Sequence, residues 1–357
     1  PETIDLPWIL GYANYEGKVC YELWRSLQLR AKGAMTFSAA SIIRSDYSLS
    51  RSGAAAAKYL PEIVEGTGKL LITALREMPP DVEIVYSQPS IRAAYVTNRA
   101  KPHDEVRRQY ITLCRNFGIP FRFISEAEIE KGSLTQHQPR LLIFPDSAAL
   151  SDRTLAALRD YLKNGGTVLA DGNFAVMDAS CRIRPDRPLP AGEKLLRHDS
   201  LEVHYYDFWN NPAWQRESRE NAALAETRAW FKDVLDKAGI VPRCKLELAD
   251  GSACLDAEIA LFADAQANTY VIAISKESQP LTVTARFAPE AAQTVDIRHA
   301  GTALKDDNPL FFALLAKAED AAPTLTVSGT GRDFVLNADL NARRDTVFRL
   351  TVRDPKG

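Results

Sequence analysis

The chain has 357 residues, 46% of them apolar and 25% charged, with 44 lysines and arginines against 46 aspartates and glutamates. That is globular composition with room for about two or three domains, and it excludes extensive disorder. A net charge of −2 leaves no footprint for a phosphate backbone, so nucleic acid is excluded as a partner. No apolar run approaches the ~20 residues of a spanning helix, so no integral membrane protein is expected.

Residues 1–80 read as strand, helix, strand, helix. Trp8-Ile9-Leu10 is a short apolar strand, followed by the polar loop Gly11 to Gly17. Val19, Leu23, Leu27 and Ala31 recur at spacing four along one helix face, and Gly33 closes that helix. Met35-Thr36-Phe37 is a second strand. Ile63, Leu70, Leu71 and Leu75 mark a last helix, which Pro79-Pro80 ends.

Residues 81–241 alternate buried strands with amphipathic helices. Val82–Tyr86, Phe121–Ile124, Leu141–Phe144 and Thr167–Ala170 are the strands, and Leu141-Leu142-Ile143-Phe144 is apolar on both faces, as a central parallel strand is. Val106, Tyr110, Leu113 and Phe117 mark a helix that stops at Gly118. Ser151 is placed to cap another carrying Leu155, Leu158 and Leu162, and a further helix is expected from about Arg219 to Ala238. Right-handed crossovers between such strands give an α/β, flavodoxin-like parallel sheet.

Residues 242–357 change to strands alone. Glu258–Phe262, Thr269–Ile274, Leu281–Ala285, Thr294–Ile297, Leu310–Leu314 and Val347–Val352 are short β-branched runs at turn-punctuated intervals, which suits an antiparallel β-sandwich.

Chemistry is sought at strand ends. Tyr12, Asn14, Tyr15 and Glu16 follow the first strand directly, where a β/α unit places functional side chains, so Glu16 is a candidate sugar-facing carboxylate; a solvated loop glutamate is the plain alternative. Arg44 and Asp46 in the loop after the second strand are further candidates, with an ordinary ion pair as the alternative. Glycoside hydrolysis normally needs two flanking carboxyl groups, and no second one is identifiable. In the middle region Asp146 and Asp171-Gly172-Asn173 follow strands where open α/β sheets bind ligands. An amidotransferase-type site needs a cysteine at a strand-to-helix elbow, and the elbow here holds Asp171-Gly172-Asn173 instead. Cys114, beside Leu113, reads as a buried structural thiol and Cys181 lies in a loop. The five cysteines form no CxxC pair and the five histidines never fall at i, i+4, so neither metal nor disulfide framework is expected. Gly-rich phosphate loops are also absent, and no cofactor is implied. His204 to Trp209, with Trp214, is a dense aromatic stretch suited to core packing, a subunit contact or sugar stacking.

The order of segments carries a resemblance. Leu23-Trp24, Lys32-Gly33-Ala34, Phe37 and Asp46-Tyr47-Ser48-Leu49-Ser50, followed by Leu60-Pro61-Glu62-Ile63 and Gly66 to Leu71, are similar to the last two strands of the (β/α)8 barrel of glycoside hydrolase family 42 β-galactosidases. Ile84 to Ser90, Leu141 to Ser151 and Tyr161 to Gly172 resemble that family's trimerisation domain, and Leu248 to Gly251 with Val295 to Arg298 its following β-sandwiches. The resemblance implies a partial TIM-barrel βαβα segment over 1–80, a class I glutamine amidotransferase-like trimerisation domain without amidotransferase chemistry over 81–241, and a β-sandwich over 242–357. It implies a glutamate nucleophile at the end of the seventh barrel strand, for which Glu16 is the candidate. The acid/base glutamate belongs to the fourth strand, outside the matched segments. The expectation is therefore an internal piece of a larger glycosidase-like protein, catalytically incomplete and homo-oligomeric, a trimer by the resemblance, with a galactoside or oligosaccharide as partner. A carbohydrate-binding accessory module, using Tyr205 to Trp214 or the sandwich surface, is the alternative.

Overall fold

The computed structural model describes residues 8–10, 28, 35–37, 42–50, 53–54, 56–57, 60, 69, 71, 73, 75–186, 188–189, 192–198, 222–255, 257–263, 265, 269–275, 281–287, 291–297, 313–316, 324–328, 334–339 and 349–352. In chain order, β1 (Trp8–Leu10) and β2 (Met35–Phe37) pair in parallel, as the two βα units anticipated from the sequence require. The helix expected to run to Pro79 stops earlier. Leu71 is helical and buried, but β3 (Arg76–Glu77) is a strand paired antiparallel with Ala263 and Phe262. The residue before a proline is pushed towards extended backbone, and here the chain extends far enough ahead of Pro79 to hydrogen-bond a neighbouring strand.

Next come β4 (Val82–Tyr86), α1 (Gln88–Val96), α2 (Ala100–Asn116), β5 (Phe121–Ser125), α3 (Glu126–Glu130), α4 (Ser133–His137), β6 (Leu141–Phe144), α5 (Asp152–Lys163), β7 (Thr167–Asp171), β8 (Leu195–His198) and α6 (Ala222–Lys237). The five strands form one parallel sheet in the order β5-β4-β6-β7-β8. Alternate side chains point to opposite faces, so a sheet covered on both sides builds two cores. Val85, Leu142, Phe144 and Val168 pack with Leu155 and Leu158 of α5. Ile84, Leu141, Ile143 and Leu169 pack with Tyr110 and Leu113 of α2 and Phe231 of α6.

Local sequence fixes the helix ends. Ser125 and Glu128 form a capping box on α3, and the Ser151 hydroxyl accepts from the Thr154 N–H at 3.0 Å to start α5. After α2, Gly118 takes φ +61°, and a Cβ there would lie 2.8 Å from the Cys244 carbonyl, so glycine is required on both counts. Helix α1 and strand β8 were not anticipated. Pro89 sits in the first turn of α1, where a missing N–H costs nothing.

The remaining strands are β9 (Cys244–Glu247), β10 (Ala257–Ala263), β11 (Thr269–Ser275), β12 (Leu281–Phe287), β13 (Ala291–Ile297), β14 (Ala313–Ala316), β15 (Thr324–Ser328), β16 (Phe334–Asp339) and β17 (Arg349–Val352). They form antiparallel sheets in the orders β14-β11-β10-β3, β13-β12-β9 and β15-β16-β17. Of the run expected at Leu310–Leu314, residues 313–314 fall in β14 and 310–312 lie outside the described residues, while β15 and β16 add to the series.

A polar seam joins α2, α6 and Gln28 to β10 and the backbone beside it. Arg115 Nη1 lies 3.0 Å from Glu258 Oε2, the two side chains being 4% and 1% exposed. Asn116 donates to the Ala257 carbonyl at 3.4 Å, Arg228 to that of Leu255 at 2.6 Å, and Gln28 to those of Glu258 at 2.9 Å and Ile272 at 3.2 Å. No described helix is long and apolar enough to cross a membrane.

Candidate functional site

Because β6, β7 and β8 are parallel, the residues that leave them meet at one sheet edge, the usual ligand edge of open α/β folds. Asp146 leaves β6, Asp171 ends β7 and Gly172 follows it, while His198 ends β8 in register with Asp171. Asp146 is buried and takes φ +37°, and Gly172 takes φ +62° so tightly against it that a Cβ would lie 2.7 Å from Asp146 Oδ1. Arg99, at the start of α2, reaches Asp146 Oδ2 at 3.2 Å, and His103 one turn on places Nδ1 3.3 Å from the Asp146 carbonyl. A carbonyl only accepts, so Nδ1 of His103 carries the proton.

Burial holds the Asp146 carboxyl above the usual carboxylate range, with Arg99 and His103 opposing and the nearby Asp171 charge reinforcing. Asp171, 1% exposed, accepts from His198 Nδ1 at 3.1 Å, and the His198 ring packs on Trp230 with centroids 4.2 Å apart. The Tyr110 phenol is pushed up by burial, the Asp171 charge adding to the effect. Arg99, Thr97, Asp146, Asn173 and Met177 border a cavity of about 90 Å³, room for about three waters.

Chemically, Asp171 orients His198 as an acid orients a catalytic imidazole, but a base needs a nucleophile or substrate proton within reach. Asp146 fills one strand end and Asp171 the other, which matches the sequence reading that the elbow lacks a cysteine. Cys114 is fully buried and its thiol is pushed up by that burial, and Cys181 Sγ lies 3.8 Å from the Pro89 carbonyl. Among the described residues no group of three or more His, Cys, Asp or Glu is placed to hold a metal ion.

His103 yields a pH test. Burial holds its pKa below the ordinary 6.5, against the pull of Asp146 and Asp104 and with the help of Arg107. Below pH 6.5 the unfolded chain therefore takes up the proton first. The stability from this site is full above 6.5 and is lost as pH falls towards the lowered folded value. Urea midpoints measured downward from pH 7 will show this loss, and His103→Gln, which keeps an N–H donor but cannot titrate, will flatten it.

No protein-family model matches the sequence, and neither does any curated protein. Solved structures do. Gan42B, a GH42 β-galactosidase of G. stearothermophilus, matches with TM-score 0.56 at 12% identity, over 87% of this chain and 53% of its own. The chain shares the fold of part of these GH42 structures. The cold-adapted β-galactosidase of Rahnella sp. R3 agrees with TM-score 0.53 at 9% identity, over 84% of this chain and 51% of that one. The apo exo-carrageenase GH42 of Bacteroides ovatus gives 0.50 at 15%, over 85% and 39%. The chain thus spans about half, or less, of the length of these solved proteins.

Of the strand-end residues singled out in the sequence, Tyr12, Asn14, Tyr15 and Glu16 lie outside the described residues, as do His204 to Trp214. Arg44 and Asp46 are exposed in a tight turn between the paired Ile43 and Leu49. Asp46 Oδ1 accepts from the Ser48 N–H at 3.0 Å and hydroxyl at 2.6 Å, and these bonds hold its carboxyl below the usual range. Its described role is thus to fix the turn. Arg99, His103 and His198 went unnoticed as partners. The strand-ending aspartates were visible, but sequence spacing cannot show which helix or strand faces them.

Proposed function

We propose that this chain is the supporting, catalytically incomplete part of a GH42-like, β-galactosidase-type protein. The observation that carries this reading is a match to GH42 structures over most of this chain but only about half of theirs. The parallel pair β1–β2 supports assigning residues 1–80 to the end of a barrel. Strand order β5-β4-β6-β7-β8, numbered within the sheet as 2-1-3-4-5, supports a flavodoxin-like, amidotransferase-like unit over 81–241. Asp146 and Asp171 at its ligand edge fit a domain used for association and not for glutamine hydrolysis. The antiparallel sheets after residue 242 support the sandwich. In this reading the unit over 81–241 assembles a trimer, and the loops carrying Tyr12, Asn14, Tyr15, Glu16, Arg44 and Asp46 help wall a galactoside site.

Hydrolysis of a nitrophenyl β-galactoside tests the catalytic part. The chain alone is expected to show no turnover that depends on Glu16, so Glu16→Gln will leave any background rate unchanged; a rate abolished by that change would make the chain an enzyme in its own right.

A further inference from the structure

The loops that enter β6 and β7 lie at the sheet edge opposite Asp146 and Asp171. Together with α3, α4 and the end of α5 they enclose a groove of about 650 Å³, within the range of small-molecule sites. Its base is apolar: Ile129 and Leu134 are buried, and Tyr161 is held in place by its hydroxyl, which donates to the Pro139 carbonyl at 2.8 Å. Gly166 packs on the ring so closely that a Cβ there would lie 2.3 Å from it.

Thr135, Gln138, Asp160 and Asn164 also line the groove. All four are exposed, and their side chains make no hydrogen bond or ion pair to the described residues. Asp160 stands in the last turn of α5, where the helix dipole disfavours an acid, so helix stability does not explain it. The other two charges at the rim are already engaged. Arg140 donates to the Gly239 carbonyl at 2.5 Å and lies 3.6 Å from Asp81 Oδ1, and Glu130 accepts from Ser151 and from Thr154, the latter at 3.2 Å.

We propose that this groove binds a neutral oligosaccharide. One carboxylate, two amides and a hydroxyl offer both acceptors and donors to sugar hydroxyls, above a floor whose shape the buried Leu134 and Tyr161 side chains fix. An anion would meet Asp160 and Glu130 with Arg140 already occupied. The inference rests on the carbohydrate side of the proposed function, but it places the ligand away from the barrel strands and from the Tyr205 to Trp214 aromatics.

Calorimetric titration of the full chain with a β-linked galactotriose tests it, with Asp160→Ala and Asn164→Ala as variants and thermal melts to confirm that both fold. Saturable binding is expected, weakened about tenfold or more by Asp160→Ala through loss of a charge-assisted hydrogen bond, with a smaller loss for Asn164→Ala. Unchanged affinity in both variants would overturn the groove while leaving the carbohydrate reading standing. Binding only of a chitosan-type amino-sugar trimer would overturn the neutral class. No saturable binding of either probe would also overturn the groove, and the association reading would be unaffected because it is judged by mass alone.

Discussion

Glu258→Gln is expected to destabilise the folded chain by about 3–5 kcal/mol, among the largest effects of any single polar substitution. Glu258 and Arg115 are 1% and 4% exposed, so removing the carboxylate takes from a buried guanidinium the charge that lies 3.0 Å from it. The effect is the penalty of a buried charge that has lost this partner and not the net worth of the pair, because burying both ions was itself costly. Replacing both together, Arg115→Met with Glu258→Leu, will therefore recover much of the loss. Urea unfolding of the two single variants and the double variant measures this directly. A single-variant loss below about 1 kcal/mol, the scale of an exposed pair, would mean that water reaches the seam between α2 and β10.

Phe231→Ala should cost a comparable ~3–5 kcal/mol, for a different reason. Phe231 is fully buried where α6 meets the sheet, with ring centroids 6.3 Å from Tyr110, 5.9 Å from Phe117 and 6.2 Å from Trp230. Removing it opens a cavity whose walls belong to two helices and β-strand neighbours, and these cannot all close in at once. Amide exchange in α6 should accelerate more than in β6 or β7, since the loss falls at the helix–sheet contact. Equal protection in α6 and a loss under about 1.5 kcal/mol would show that the site collapses around the smaller side chain.

The central strands were legible because their sequences admit few alternatives. Leu141–Phe144 is apolar at every position, which only a strand covered on both faces accommodates. Ser151 and Gly118 announced a helix start and a helix stop through chemistry that acts within a few residues. Arg76–Glu77 was misread because its conformation is set by β10, far away in the chain; tertiary pairing overrode the local helical pattern. Leu195–His198 was missed because a short edge strand carries little periodic signal. The site was half visible for the same reason. Asp146 and Asp171 stand out as acids at the ends of buried strands, whereas Arg99 and His103 meet Asp146 only through the packing of α2, and Glu258 looks like any strand glutamate until Arg115 is found beside it.

Buried Glu83 is a further case. It interrupts an otherwise apolar strand, where it pairs with Arg122 and lies 3.1 Å from His137 Nδ1. Burial raises its pKa above the ordinary carboxylate value despite the arginine. Nothing in the alternation of β4 anticipates a carboxylate there.

Light scattering of the purified chain, across a range of concentrations, is the most direct test of the account. A discrete trimer is expected, assembled by the unit over residues 81–241. A monomer at every concentration would contradict that role and favour an accessory module that acts alone.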